Sequence, residues 1–380
     1  MFPDFNIYST PLFVLVFQGL ILSILLLLKS KINISYFFLG ILLLITSYHR
    51  TTYTVGFMGW YDTFRNTKIN YYLISLGLAT GPLIYYYIKS VSFKDFKFKK
   101  KDLLHFIPAL IYILVKLFIF AYDSSQAGFD QTQNGPAMQY MMENTNVVLS
   151  TLFTIHLLIY LILSFRLYFK FRKILENQFS NTYKLQLKWL MLFLICFSFL
   201  FIYNTLQMIT EGFILDLHWT QEWWYQFFSV VIVIYLGVKG YFTPTENIAQ
   251  LDISIPQFQA IKESKPKEIF EQKEALDALL ELVEKEQLYL DPNLSLQKLS
   301  RQSKIQIGQL SYIINKGTGQ NFNDFINAYR VKDITKKLKS EKYNHLSILA
   351  IALDAGFNSK ATFNRVFKRL TGKSPSDFRK

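Results

Sequence analysis

Leu346-Ser-Ile-Leu-Ala-Ile-Ala-Leu-Asp-Ala-Gly-Phe-Asn-Ser-Lys-Ala-Thr-Phe-Asn-Arg-Val-Phe-Lys-Arg-Leu-Thr-Gly-Lys-Ser-Pro-Ser-Asp-Phe-Arg379 reads as two short helices joined by a turn. Ile348, Ile351 and Ala352 are spaced to fill one face of the first helix, and Gly356 followed by Phe357 supplies a left-handed turn and an apolar plug. Asn358 or Ser359 can cap a second helix whose Phe363, Val366, Phe367 and Leu370 face inward. Its other face carries Lys360, Asn364, Arg365 and Lys368, residue types that reach base edges and phosphates when a helix enters the major groove. Taken alone, the same pattern also describes a basic amphipathic helix with a solvated face.

A second copy lies upstream. Leu310, Gly319, Asp324 and Phe325 match Phe363, Gly372, Asp377 and Phe378 at one constant offset, while Leu299 and Ser300 match Ile351 and Ala352 one residue closer. The chain therefore repeats a helix-turn-helix, with a one-residue difference in the turn. In the upstream copy the recognition helix runs from Gln306 to Lys316, and Gln306, Gln309, Ser311 and Tyr312 are its candidate DNA contacts. Between the copies, Phe322 to Lys339 reads as one helix of roughly 27 Å at about 1.5 Å per residue, with Phe325, Ile326, Tyr329, Ile334 and Leu338 on a stripe. A rod of that length suits two recognition helices held about 34 Å apart, one turn of DNA.

Roughly the last hundred residues resemble the DNA-binding domain of AraC-family transcription regulators. The resemblance is carried by Ile351-Ala352, Gly356-Phe357, Ser359, Phe363, Phe367-Lys368, Gly372, Ser374-Pro375 and Phe378-Arg379. It implies a bacterial protein with a monomeric module of two helix-turn-helix units that reads successive major grooves of double-stranded DNA. By position, it implies Lys360, Asn364 and Arg365 as readers of the second unit. The first unit departs from the pattern, because Ser300 replaces the usual alanine and Lys304 sits at the usual glycine.

The rest of the chain has another character. A chain of 380 residues that is 51% hydrophobic and only 18% charged is not an ordinary soluble protein. It resolves into long apolar runs up to about Phe242 and a charged, patterned remainder. Seven segments reach the roughly 20 residues that a membrane-crossing helix needs: Pro11–Leu28, Ile34–Thr52, Ile69–Ile88, Leu103–Tyr122, Val147–Tyr168, Leu187–Ile209 and Trp223–Tyr241. The expected fold class is all-α, with a seven-helix transmembrane sensor in 1–242, a cytoplasmic linker in 243–267 and a DNA-binding domain in 268–380. The first run has no basic residue before it and no cleavage pattern after it, so it reads as a helix rather than a signal peptide.

Lysine and arginine placement orients the spans. Lys29 and Lys31, then Lys94, Lys97, Lys99, Lys100 and Lys101, then Arg166, Lys170, Arg172, Lys173, Lys184 and Lys188 fall on alternate connections. The intervening Asp123–Asn146 stretch has no basic residue, and Arg65 and Lys68 are a mild exception. This arrangement expects the N-terminus outside and the C-terminus on the DNA side, and in the bacterium that the resemblance implies, the membrane is the inner one. Phe93, Phe96 and Phe98 alternate with lysines in a way that suits lipid headgroups, although a plain positive-inside loop outranks that reading. The Tyr122–Asn146 stretch is long enough to lid a pocket or to be a mobile loop.

Polar residues within spans are candidates for a signal-binding site. They are Lys116, His156, Asn204 and Gln207, weighed against snorkelling and helix-to-helix hydrogen bonding. Cys196 is a single cysteine inside an apolar run, so no disulfide framework or thiol pair exists within one chain. No catalytic arrangement, nucleotide loop, metal cluster or cofactor site is recognisable. Ile269, Leu276, Val283 and Leu290 recur every seven residues, but Gln272 and Glu286 hold companion positions. Packing within the domain therefore outranks a homodimer seam.

From Leu290 onward there are 17 Lys and Arg against 6 Asp and Glu, so this module carries +11 of the whole chain's +14. On a doubled helix-turn-helix that charge favours DNA phosphates over a membrane surface. The expected function is a membrane-bound one-component transcription regulator, in the lipid bilayer, answering a small-molecule or lipid signal. The alternative is a transporter or intramembrane enzyme with a regulatory DNA-binding appendage.

Overall fold

Apolar runs too long for a soluble core become helices that leave much of their apolar surface uncovered. The computed structural model describes residues 4–73, 76–93, 96–132, 134–182, 188–215, 217–243 and 266–379. Among them the elements are helical, and an isolated bridge pairs Phe179 with Ser295. Nearly all of the expected linker lies outside the described residues. Two compact units emerge, one of Met1–Tyr168 with Lys188–Leu251 and one of Phe169–Leu187 with Asp252–Lys380.

The first unit contains α1 (Ser9–Leu28), α2 (Ile34–Phe57), α3 (Thr80–Ser92), α4 (Ile107–Ser124), α5 (Pro136–Gln178, which continues into the second unit), α6 (Lys188–Phe213) and α7 (Trp219–Phe242). Asn33 starts α2 by accepting the Ser35 amide at 2.8 Å, which satisfies one of the donors a helix start leaves free. α2 packs on α1, α3 and α7. Small residues bring these helices close, since a Cβ on Gly19 would lie 2.2 Å from Ser47 Oγ and one on Gly240 2.3 Å from Leu39. Phe17, Ile24, Phe118, Val147, Phe199 and Ile202 are exposed, an apolar surface far larger than water tolerates on a monomer.

Among the described residues five helices are long and apolar enough to cross a membrane, not the seven expected: Ser9–Lys31, Lys100–Ser124, Val147–Gln178, Lys188–Phe213 and Thr220–Phe242. The other two segments fall short for different reasons. α2 has 24 residues but carries His49 and Arg50 within its length. The segment expected at Ile69–Ile88 is not one helix, but Ile69–Leu73, a 3-10 turn at Gly77–Ala79 and then the 13 residues of α3. Pro82 lacks an N–H and crowds the preceding turn, so a helix cannot run through it undisturbed.

Two connections are held by specific contacts. Phe96 and Phe98 do not project toward headgroups. Both pack on Phe38, at ring distances of 6.2 and 5.6 Å, and Phe98 lies 5.2 Å from Tyr86, while Lys97, Lys99 and Lys100 stay exposed. The stretch after Tyr122 is not a loop throughout, since it is helical from Pro136, and Tyr122, Tyr140 and Met141 line a cavity. Asp123 accepts the Ala137 and Met138 amides at 2.8 and 3.0 Å and the Tyr72 hydroxyl at 2.7 Å, which caps α5 and closes the connection.

The second unit contains α8 (Pro266–Lys285), α9 (Leu296–Ser303), α10 (Ile307–Thr318), α11 (Phe322–Leu338), α12 (Ile348–Asp354), α13 (Lys360–Thr371) and the short α14 (Pro375–Phe378). α8 ends before the expected Leu290, because Gln287 turns left-handed at φ 49 and Leu288–Leu290 forms a 3-10 turn. Two hydrophobic cores share α11. Leu279, Val283, Leu299, Leu310 and Phe325 fill the first, and Ile334, Ile351, Phe357, Phe363 and Phe367 the second. Leu276 packs on the first core beside Val283, so these heptad positions are used within the domain.

Candidate nucleic-acid interface

The repeat read in the sequence is matched element by element. α10 and α13 each span 12 residues, and both end on a left-handed glycine, Gly319 at φ 68 and Gly372 at φ 76. Ser295 and Ser347 cap α9 and α12 by accepting the Lys298 and Ala350 amides at 3.2 and 3.0 Å. The difference of one residue lies in the turns. In the first unit Lys304 takes the left-handed position at φ 58, while in the second Gly356 does so at φ 92. Asn358 is the additional residue before the cap Ser359, which accepts the Thr362 amide at 3.4 Å.

Gly356 is required by its surroundings. A Cβ there would meet the Tyr289 and Leu290 carbonyl oxygens at 2.7 and 2.8 Å and Arg330 Nε at 2.9 Å. Ser300, in place of the usual alanine, is accommodated by donating its hydroxyl to the Ile305 carbonyl across the turn at 2.5 Å.

On α13, Phe363, Val366 and Phe367 are buried while Lys360, Asn364, Arg365 and Lys368 are all exposed. One edge thus presents three cations and a carboxamide, which supplies phosphate attraction and hydrogen-bond donors and acceptors in the form base edges require. Arg369 is drawn aside by a contact with Asp324, leaving the edge to the other four.

The candidate contacts of α10 do not share one exposed face. Gln306 and Gln309 are exposed and Tyr312 is half-buried. Ser311 is buried, and its hydroxyl and carbonyl oxygens accept from Asn315 Nδ2 at 3.2 and 2.8 Å. Lys316 is exposed on the same helix, a cation that the motif alignment passed over.

The four polar candidates of the first unit do not converge. His156 is half-buried and lines a cavity of about 1040 Å³ with Tyr112, Val115, Tyr140, Leu152 and Phe153. Lys116 is buried, with Nζ 3.3 Å from Met138 Sδ and 5.8 Å from the Tyr72 ring centre. Asn204 is exposed and Gln207 half-buried on α6. A second cavity of about 700 Å³ is lined by Asp4, Asn6, Tyr53, Asp62 and Glu222, residues scattered in sequence, which no local pattern brings together. Arg50 was missed too. It is buried, and its Nε and Nη2 donate to Ser229 Oγ at 3.0 and 2.8 Å. An arginine inside an apolar run was the available signal.

Residues 299–380 match the protein family described as "Helix-turn-helix domain", of the AraC type. The chain is also similar to a protein of Proteus vulgaris described as "Probable transcription factor PqrA", with 29% identity over 93 residues, covering 24% of this chain and 74% of that protein. No solved structure matches the chain.

Proposed function

From an AraC-type helix-turn-helix domain at residues 299–380, we propose that this protein is a membrane-embedded transcription regulator of a bacterium. Its second unit binds duplex DNA through α10 and α13 under control of the helices in the first. The observation that carries this reading is the exposed edge of Lys360, Asn364, Arg365 and Lys368 on a duplicated helix-turn-helix, in a chain whose described residues include five helices long and apolar enough to span a bilayer. Lys360 and Lys368 bind phosphates, and Asn364 and Arg365 read bases.

In this reading α2 and the broken segment ending in α3 also cross the membrane, giving seven spans with the N-terminus outside and the C-terminus in the cytoplasm. α3 is almost wholly buried, so its freed backbone groups meet protein rather than lipid, which is where broken helices are tolerated. The apolar cavity beside His156 takes an apolar signal molecule. A Lys116, Asn204 and Gln207 cluster plays no part, because these side chains do not line that cavity.

The test is binding-site selection with the full chain in membrane vesicles. A random duplex pool should yield one discrete sequence family, and Lys368→Glu should lower capture of all duplexes. A pool retained without sequence preference, or capture insensitive to Lys368→Glu, overturns the reading.

A further inference from the structure

We propose that residues 179–182, which follow α5 directly, are a strap docked on the DNA-binding domain at Arg330, and that this docking fixes how the two helix-turn-helix units are set against each other. The second part rests on the regulator reading above; the first does not. The strap lies within the second unit. Phe179 pairs with Ser295, the N-cap of α9, in an antiparallel bridge. The Ser180 amide and hydroxyl both donate to the Leu294 carbonyl, at 3.1 and 2.7 Å. Asn323 Nδ2, in the first turn of α11, donates to the Phe179 and Ser180 carbonyls at 3.1 and 2.8 Å.

Arg330 completes the attachment. Its Nη1 donates to the Ser180 carbonyl at 3.3 Å and its Nη2 to Ser180 Oγ at 3.1 Å. Both residues are 1% exposed, so these bonds are made away from water, where an unmet donor is costly. The same guanidinium donates to Tyr289 O at 2.7 Å and Asp291 O at 2.8 Å, in the loop that leads into the first unit. It also sits 5.7 Å from the Phe357 ring centre, in the turn of the second unit. One buried cation therefore touches the strap, the lead-in to the first reader and the turn of the second.

The recognition helices are not what the strap holds. Its named partners lie on Leu294, Ser295 and α11, and the α13 edge remains exposed. Covering of the reading surface is thus not the means of control. Withdrawing the strap leaves Arg330 Nη1 with Asn327 Oδ1 at 3.3 Å and Nη2 with the Asp291 carbonyl. The fixed donors of the guanidinium fork then have fewer acceptors to hold one orientation. α5 is a single helix from Pro136 to Gln178, so the strap is the direct continuation of an element that lines the apolar cavity.

The full chain in lipid discs tests both parts. Asn323→Asp removes the two bonds to the strap and keeps the oxygen that accepts from Asn327 Nδ2 at 3.0 Å, so the Asn327 contact to Arg330 is retained; Asn323→Ala, which also loses the Asn327 bond, replaces it if the aspartate variant does not fold. Hydrogen exchange at the Ser180 amide should accelerate at least tenfold. Preference for the selected duplex over one with a single base pair inserted between its half-sites should fall at least threefold. Lys332→Ala, on the same helix as Asn323, breaks the exposed 3.0 Å pair with Glu284 of α8 and should change neither reading. Unchanged exchange at Ser180 overturns the docking, whatever the DNA result. Faster exchange with unchanged spacing preference overturns the coupling. A protein with no duplex preference overturns the regulator reading and the coupling with it, while faster exchange would still identify the docked strap.

Discussion

Arg379 stands to the second helix-turn-helix as Arg330 stands to the first. Arg330 donates to the Tyr289 and Asp291 carbonyls at 2.7 and 2.8 Å. Arg379 donates to the Tyr343, Asn344 and Leu346 carbonyls at 3.1, 2.9 and 2.8 Å. Each guanidinium closes the loop that leads into its unit, but Arg330 is buried and Arg379 only half-buried. Arg330→Met leaves buried acceptors without their donor and should therefore destabilise the domain by about 3 kcal/mol, whereas Arg379→Met should cost about 1 kcal/mol. Exchange of the most protected amides in α11 measures both; equal losses would show that burial does not separate the two.

The two turns make opposite predictions. Gly356→Ala puts a Cβ against two backbone carbonyls that cannot swing away and holds alanine at φ 92, so a loss of about 3 kcal/mol is expected. Lys304 occupies the left-handed region at φ 58, and Lys304→Gly should raise stability by up to about 1 kcal/mol. Thermal unfolding of the variants decides, and a stabilising Gly356→Ala would refute the close approach.

Readout and attraction separate on α13. Asn364→Ala or Arg365→Ala should relax preference in one half-site by roughly 1–3 kcal/mol per lost base contact, with non-specific affinity little changed. Lys368→Ala should weaken all duplexes alike and lower the salt slope by about 1. Ser311→Ala should leave the selected site unaltered, because its hydroxyl is turned to Asn315. Unchanged selected sequences after the double substitution of Asn364 and Arg365 would place the reading edge elsewhere.

Acid should loosen the lead-in to the first unit. Burial acts to raise the Asp291 carboxyl, but hydrogen bonds from Lys298 and from the Asn293 amide, with Arg330 nearby, outweigh it and hold the group below its usual range. A carboxyl lowered on folding stabilises the fold above its unfolded value of about 3.9 and ceases to do so as pH falls through its folded value. The 2.9 Å pair with Lys298 is well exposed, so the contribution is under about 1 kcal/mol. Asp291→Asn should remove the part of the acid-induced stability loss below about pH 4 that belongs to this group, read as the urea midpoint at each pH.

Topology is open to direct measurement. A reporter after Tyr241 should read cytoplasmic and one near Gln131 external. The reverse at both sites would put the helix-turn-helix units on the wrong side of the membrane for DNA.

The helix-turn-helix repeat was legible because its signals are local: caps, left-handed glycines and apolar spacing lie within a few residues of the structure they specify. Ser311 shows where that reasoning stops, since its repeat partner Asn364 is exposed while Ser311 is buried, and the exposed face changes without a change in spacing. In the first unit the missed features depend on distant partners. Arg50 finds Ser229, and Asp123 closes on α5 and Tyr72, pairings that no hydropathy window contains. The break before α3 was written in Gly81-Pro82, but an average over twenty residues hides it.

A reader built by duplication along one chain has a front and a back. α10 and α13 follow each other along one chain and carry different side chains, whereas a palindrome needs two identical surfaces related by rotation. The DNA site of one such domain is therefore an arrow. Inverting it in front of a gene would exchange which half-site lies nearer the start of transcription, so orientation, and not sequence alone, becomes part of the address.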